Sequence, residues 1–509
     1  MVSIKPTDKP PYLMIVILFI GAFVALLNNS LINMALPTIM TDFGIKDFST
    51  VQWLTTIYML VSGVLVPASA FLITKFTNRQ LYITSIAIFT IGTLLAAISS
   101  SFEMLLVGRI VQAVGASVIS PLLMNVMLVS FPPHKRGVAM GFYGMALIVA
   151  PSVGPTISGY IMEYYDWHIM FYMLLPVTVI SLILAIFKLK NLLPNKEATL
   201  DYLSLVMSTV GFGSVLYGCS TAGSKGWSDP LVYGTIIIGM IGVIGFVIRQ
   251  LRIDNPMIDM RIFKNPIYSL GFVIAVVIAV SLSSTMIFMP MYLMNVREIQ
   301  PFDAGLMMLP SALVMGLMSP ISGKLFDKFG ARIIGLIGLA IVSVSTYLLS
   351  DLQLDSSYNY IISITTLRMF GLSMVLMPIM TNGLNQLPKD LYPHGTAMNN
   401  TQQQIAGAIG TAILVTIMNS QTKTRATELA AAAKEKAAQS GVIPSAEQIA
   451  QMKEHITHQA LLHGINHSFL IAFGITILAF VLTIFLRRGQ TPGNKKEETV
   501  AKNEESVVE

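Results

Sequence analysis

The sequence predicts an all-α integral membrane protein of about fourteen spans, on three observations. Apolar runs of about 20 residues recur from Leu13 to Leu486, with short polar joints between them. Each is long enough to cross a ~30 Å hydrocarbon layer as a helix. Only 11% of the 509 residues are charged while 54% are hydrophobic; a soluble domain carries roughly 25% charged residues. No stretch alternates with the ~10-residue rhythm of a membrane β-barrel, which leaves helices, since they satisfy their own backbone hydrogen bonds in lipid.

The expected spans are 13–36, 52–74, 81–99, 103–127, 138–161, 168–188, 203–221, 231–249, 268–292, 304–323, 333–350, 358–384, 396–419 and 466–486. The first follows Lys5 and Lys9 as a signal peptide would. It runs on to Pro37 without a small-residue cleavage pattern, so it is read as an uncleaved span. An even count places both termini on one side. Of the 32 Lys and Arg, 22 fall on the segments that share that side and 8 on the opposite one. Five of those eight (Lys423, Arg425, Lys434, Lys436 and Lys453) sit in a single long joint. Basic residues mark the cytoplasmic side. The expectation is therefore a multi-pass protein of the plasma membrane with both termini cytoplasmic and the 420–465 joint outside. Arg425 to Gln439 is Ala/Glu/Lys-rich and favours helix. Gly441 and Pro444 should break it, and Ser445 with Gln448 should cap a second helix. That pattern predicts an outer helical hairpin. The Lys/Glu-rich tail after Arg488 has little to bury and is expected to be disordered.

Several function classes drop out. The net charge of +6 is spread over many joints, which argues against nucleic acid. The single cysteine, Cys219, permits no internal disulfide and no multi-cysteine metal site. His455, His458, His463 and His467 cluster near the hairpin, but no third well-placed ligand accompanies any pair, so no metal is expected. No GxxxxGK[ST] loop, nucleophile elbow or HExxH occurs. The chain therefore reads as neither an enzyme nor an ATP-driven pump, and needs no cofactor.

An internal repeat points to transport. Arg109 opens RIVQAVGASVISPLLMNVM, with PHKRGVAM following from Pro133. Arg368 opens RMFGLSMVLMPIMTNGL, with PHGTAM following from Pro393. Repeats of this kind build a central site between two halves that rock about it.

SGKLFDKFGAR, Ser322 to Arg332, together with LLVGRIVQAVGAS, Leu105 to Ser117, and APSVGPTISG, Ala150 to Gly159, resembles the major facilitator superfamily and its fourteen-span drug:proton antiporter branch. The resemblance covers nearly the whole chain. In SAFLITKFTNR, Ser69 to Arg79, the counterpart of the first motif departs from the pattern, with Ala70, Thr74 and Thr77 for the usual Gly, Asp and Gly. LNNSLINMALP, Leu27 to Pro37, carries Asn28 where an acid is usual, a form that resembles the lincomycin-resistance exporter subgroup. The resemblance implies a six-span half over 1–190, two additional spans over 191–265, a second six-span half over 266–490 with the 420–465 hairpin, and a tail over 491–509. It implies a monomeric exporter of amphipathic or lipophilic small molecules, multidrug efflux by antiport, embedded in the bilayer and powered by the proton gradient. A lipid, fatty-acid or peptide exporter of the same fold, coupled differently or not at all, stays open because no carboxylate lies mid-span. A membrane enzyme or sensor would need clustered His or acids in the spans.

The candidate site residues follow. Arg109 costs at least ~2.5–3.5 kcal/mol at a span centre unless it meets a polar cavity or partner; the plain alternative is snorkelling to the outer interface. Asn28 lies at similar depth, and Gln112, one turn on, shares the face of Arg109. Arg368 is more central. Asn33, Asn125 and Asn382 are further candidates for the central cavity, with Asn385, Asn399, Asn400 and Gln402 to Gln404 as interhelical hydrogen bonders. Gly154, Pro155 and Gly159 form the antiporter motif, where small residues and proline allow close approach and bending. Asp327, Lys328 and Arg332 are expected as a charge clasp between halves, or else a solvated loop. With Asn28 unable to titrate, proton coupling is assigned to Glu103 or Asp42, with Arg109 and Asn28 as a non-titrating polar pair.

Overall fold

A computed structural model describes residues 11–46, 48–192, 201–440 and 446–487. Among them, fourteen helices are long and apolar enough to cross a membrane. Spans 1 to 6 are Tyr12–Asp42, Thr50–Lys75, Asn78–Ala97, Phe102–Ser130, Pro133–Tyr164 and Ile169–Lys188. Spans 7 and 8 are Tyr202–Ala222 and Pro230–Arg252. Spans 9 to 14 are Pro266–Val296, Phe302–Phe329, Ala331–Leu349, Tyr358–Leu384, Lys389–Glu435 and Gln448–Ile484. No strand occurs among the described residues.

Small residues set the tightest seams. A methyl group at Gly108 of span 4 would lie 2.9 Å from the Ala96 nitrogen of span 3, and one at Gly371 of span 12 would lie 2.8 Å from the Gly338 carbonyl of span 11. Such close approach is how helices associate without a hydrophobic drive between them. Spans 5 and 10 pack on each other, and span 2 packs on span 13. Span 7 touches both span 2 and span 13. Span 8 leans on span 7, pinned at the basic end by Arg249, which donates to both Asp201 oxygens at 2.6 and 2.9 Å. Its outer face, including Ile237, Ile241 and Ile244, is exposed to where lipid would lie. Cys219 is buried in packing between spans 7, 8 and 13.

Three local departures from the sequence expectation matter. Span 12 is two helices, Tyr358–Ser373 and Leu376–Leu384, broken inside the protein where neighbouring helices surround it. Span 9 ends in a π-helical turn, Tyr292–Val296, just beyond Pro290. The two helices expected in the 420–465 joint are continuous with the spans: Tyr392–Ser440 is one helix of 49 residues, and Ala446–Ile484 is one of 39. The joint's Ala/Glu/Lys stretch carries span 13 straight on, because helix propensity does not end where the apolar run ends. The breaker and cap positions 441–445, like Lys5, Lys9 and the tail 491–509, lie outside the described residues.

Candidate functional site

Two fully buried arginines organise the two ends of the repeat. Arg109 donates from Nε to the Leu54 carbonyl of span 2 at 3.1 Å, from Nη1 to Gln112 Oε1 at 3.0 Å, and from Nη2 to Asn29 Oδ1 of span 1 at 3.3 Å. Its guanidinium lies 4.3 Å from the centre of the Tyr58 ring. Gln112 reaches on to Thr93 of span 3 at 3.0 Å and exchanges bonds with Asn28 at 3.2 and 3.4 Å. Arg368 repeats the pattern. It donates from Nε to Thr346 Oγ1 of span 11 at 2.9 Å, and from Nη2 to the Ser281 carbonyl and the Ser281 and Ser284 hydroxyls of span 9 at 2.8–3.2 Å. Its Nη1 is buried without a partner. In the second half the arginine of the fourth helix ties the first helix to the third; in the first half Arg109 ties the first helix to the second and reaches the third only through Gln112. No carboxylate contacts either guanidinium among the described residues.

This revises the expected Arg109–Asn28 pair. Arg109 meets Asn29 directly and reaches Asn28 only through Gln112. Arg109 is 0% exposed, so it neither snorkels nor faces an open cavity in this state. Asn29, Tyr58, Thr93, Ser281, Ser284 and Thr346 were not anticipated. The run SLSST, Ser281 to Thr285, was the legible signal, since hydroxyls at that density are unusual in an apolar span.

The Gly154–Pro155–Gly159 segment sits against span 1. A methyl group at Gly154 would lie 2.5 Å from Ser30 Oγ. Pro155 has no N–H to offer the Pro151 carbonyl one turn back, and Ser30 Oγ donates to that carbonyl at 2.6 Å. The freed helix acceptor thus stitches span 5 to span 1 one residue from Asn29. Gly159 faces Phe302 at the start of span 10 with ordinary clearance. Gly154→Leu should force spans 1 and 5 apart, at about 1–3 kcal/mol of overpacking. The expected result is turnover lowered at least about tenfold with ligand still bound from one side, checked by transport and binding assays on the same preparation.

Contacts between the halves gather at the basic end. Asp327 of span 10 accepts from the backbone N–H of Gly137 at 2.9 Å and of Val138 at 3.2 Å, capping the first turn of span 5. Gly137 and Gly323 abut so closely that a side chain at either would collide with the other's backbone. Arg136 donates to Asn385 Oδ1 at 3.0 Å and to the Tyr392 hydroxyl at 2.8 Å. Tyr143 donates to Asn400 at 3.3 Å. Of the expected clasp, Asp327 bridges the halves, and the Lys328 and Arg332 side chains are exposed. Thr74, standing where the first-half motif usually has an acid, bonds only to its own helix at Ala70. Towards the opposite end spans 5 and 10 meet in ordinary van der Waals contact rather than abutting: a methyl group at Gly305 would be 3.4 Å from Thr156, and one at Gly159 3.6 Å from Phe302.

The remaining candidates scatter. Asn33 is exposed in the outer half of span 1. Asn125 is 1% exposed with neither amide atom bonded. Asn382 donates to the Arg487 carbonyl at 3.4 Å, and Asn399 accepts from Tyr268 at 3.3 Å. Glu103 is exposed in the first turn of span 4, and Asp42 accepts from Trp167 Nε1 at 3.1 Å. Neither acid joins the Arg109 network. His458 lies 3.7 Å from Glu298, with Glu454 nearby in an exposed group of three metal-type ligands.

Comparison with known proteins places the chain. The Major Facilitator Superfamily matches residues 18–411. An uncharacterised MFS-type transporter, YhcA of Bacillus subtilis strain 168, is 49% identical over 414 residues, 81% of this chain and 78% of that one. The lincomycin resistance protein LmrB of the same organism is 39% identical over 473 residues, 92% of this chain and 95% of its own. The crystal structure of the human organic anion transporter MFSD10 shares the fold, with a TM-score of 0.62 at 12% identity, covering 94% of this chain and all of that one.

Proposed function

The chain belongs to the major facilitator superfamily, and from that membership we propose that it is a secondary active exporter of amphipathic or lipophilic small molecules, acting as a monomer by alternating access and drawing on proton antiport. The observation that carries the reading is the one-ended seam. Asp327, Arg136 and Tyr143 bond across the halves at the basic end, while spans 5 and 10 meet only in ordinary van der Waals contact at Gly159 and Gly305 towards the other. That asymmetry fits one state of a rocking pair. The arginine nodes and the Ser30–Pro151 stitch keep each half rigid while the seam opens. The likeness to a lincomycin resistance protein supports a drug-like substrate. No cofactor is invoked.

The deciding experiment uses purified protein in proteoliposomes with an imposed pH gradient and a panel of lipophilic antibiotics and dyes. Uptake that follows the gradient supports the reading. In Glu103→Gln and Asp42→Asn, the coupling assignment expects proton movement per substrate to fall. Full coupling in the double variant overturns that assignment, and a parent indifferent to pH overturns antiport itself. The second reading, export of lipids, fatty acids or peptides without proton coupling, is favoured by the lack of any carboxylate at either buried arginine.

The proposed location is the plasma membrane, and the charge asymmetry supports an orientation with the basic end and both termini in the cytoplasm. Single cysteines at Glu428 or Glu454 in a Cys219→Ser background should label with an impermeant thiol reagent on intact cells. Labelling only after permeabilisation reverses the orientation.

A further inference from the structure

A cleft of about 750 Å³ opens at the basic end between spans 1, 4, 5 and 10, apart from the arginine nodes. Val16 and Phe19 of span 1 and Phe142 and Met145 of span 5 form its walls. Tyr12, Val16 and Phe142 are 62%, 51% and 46% exposed, so the cleft opens sideways, where lipid would lie, rather than into the protein interior. At its polar end stand His134, Lys135, Lys324 and Asp327. The volume lies within the range of small-molecule sites.

The charges at that end do not balance. Asp327 already has both oxygens occupied by the Gly137 and Val138 N–H groups, and the span 5 N-terminus offsets its charge. The Lys135 and Lys324 side chains are exposed and make no ion pair or hydrogen bond among the described residues. An apolar trough that ends in two uncompensated ammonium groups complements a molecule with an apolar body and one acidic head. We propose that this cleft binds an anionic amphiphile from the surrounding bilayer, its apolar body against Val16, Phe19 and Phe142 and its carboxylate or phosphate between Lys135 and Lys324. Lys135 immediately precedes the α-helix Arg136–Tyr164 of span 5, and Lys324 lies one turn before Asp327 on span 10. The occupant therefore spans the same seam as the Asp327 cap and holds the basic end shut. The site stands independently of the export reading, since it concerns which membrane molecule the protein holds, whatever it moves.

The test places the full chain in phosphatidylcholine nanodiscs with a diazirine analogue of palmitate, and with the matching neutral alcohol as control. Crosslinked peptides are mapped by mass spectrometry. The acid should label peptides containing Val16–Phe19 and Phe131–Met145 about tenfold more than the alcohol, the preference expected from two partly exposed ion pairs. Lys135→Gln with Lys324→Gln should abolish the preference without affecting folding, because both side chains are exposed. Val16→Trp, which fills the mouth, should lower labelling by both probes. Competition by dodecyl phosphate identifies a free amphiphile as the occupant, and competition by phosphatidylglycerol in the disc identifies a lipid; either supports the proposal. Equal labelling by acid and alcohol, labelling unchanged in the double lysine variant, or absence of competition by both anions overturns it.

Discussion

Arg109→Ala is expected to abolish transport, and Arg109→Lys to do nearly as badly. One guanidinium serves three helices at once through Leu54, Gln112 and Asn29, with its face against Tyr58. Alanine strands those acceptors in the protein interior, at about 1–3 kcal/mol for each buried group left unpaired. Lysine keeps the charge but has one compact donor head, which cannot reproduce a planar fork. Substrate flux in proteoliposomes should fall at least about a hundredfold in the alanine variant, and thermal stability in detergent should fall with it. Arg368→Ala should lose less stability, because Nη1 of Arg368 is unpartnered from the start and its burial is only partly compensated. Near-normal flux in Arg109→Ala would mean that the node is dispensable packing.

Asp327→Ala should shift the protein towards the opposite access state. Two hydrogen bonds from a carboxylate to backbone N–H groups are worth about 1.5–3 kcal/mol each, so their loss moves the equilibrium between states by roughly a hundredfold or more. Spin labels at Lys188 and Phe485, on the two halves at the basic end and both exposed, should report a longer distance in the variant. Asp327→Asn keeps one good acceptor and should lie between. An unchanged distance distribution in Asp327→Ala would remove the cap from the gating mechanism. Arg332→Ala should leave the distance as it is, because its exposed side chain lies outside the Asp327 bridge.

What could be read from the sequence divides along physical lines. The fourteen spans were legible because apolar length is a local property. The extent of span 13 was not, since Arg425 to Gln439 is polar yet strongly helix-forming, and hydropathy says nothing about where a helix stops. Arg109, Gln112 and Asn28 were identified as one cluster, yet the direct partner is Asn29. Neighbouring residues on a helix point about 100° apart, and span 1 is apolar on every side, so its rotation cannot be fixed from pattern alone. Asp327 was legible through its motif. Its partners were not, because the N–H groups of Gly137 and Val138 belong to the backbone and leave no side-chain signature. The same holds for Ser30, whose importance arises from a hydrogen bond that Pro155 cannot make.

The unbroken helix Tyr392–Ser440 has a mechanical consequence. At 1.5 Å per residue its 49 residues form a rod of roughly 73 Å, more than twice the thickness of the hydrocarbon layer. Its inner end is anchored at the seam, where Tyr392 and Asn400 take bonds from Arg136 and Tyr143. A rigid-body tilt of about 15°, the scale of known subunit rotations, would swing its far tip by roughly 19 Å. Under the proposed rocking motion, the tip is thus a pointer that magnifies a small displacement at the seam. A bulky binder clamped on it from outside would resist that sweep and stall the cycle without touching the substrate path.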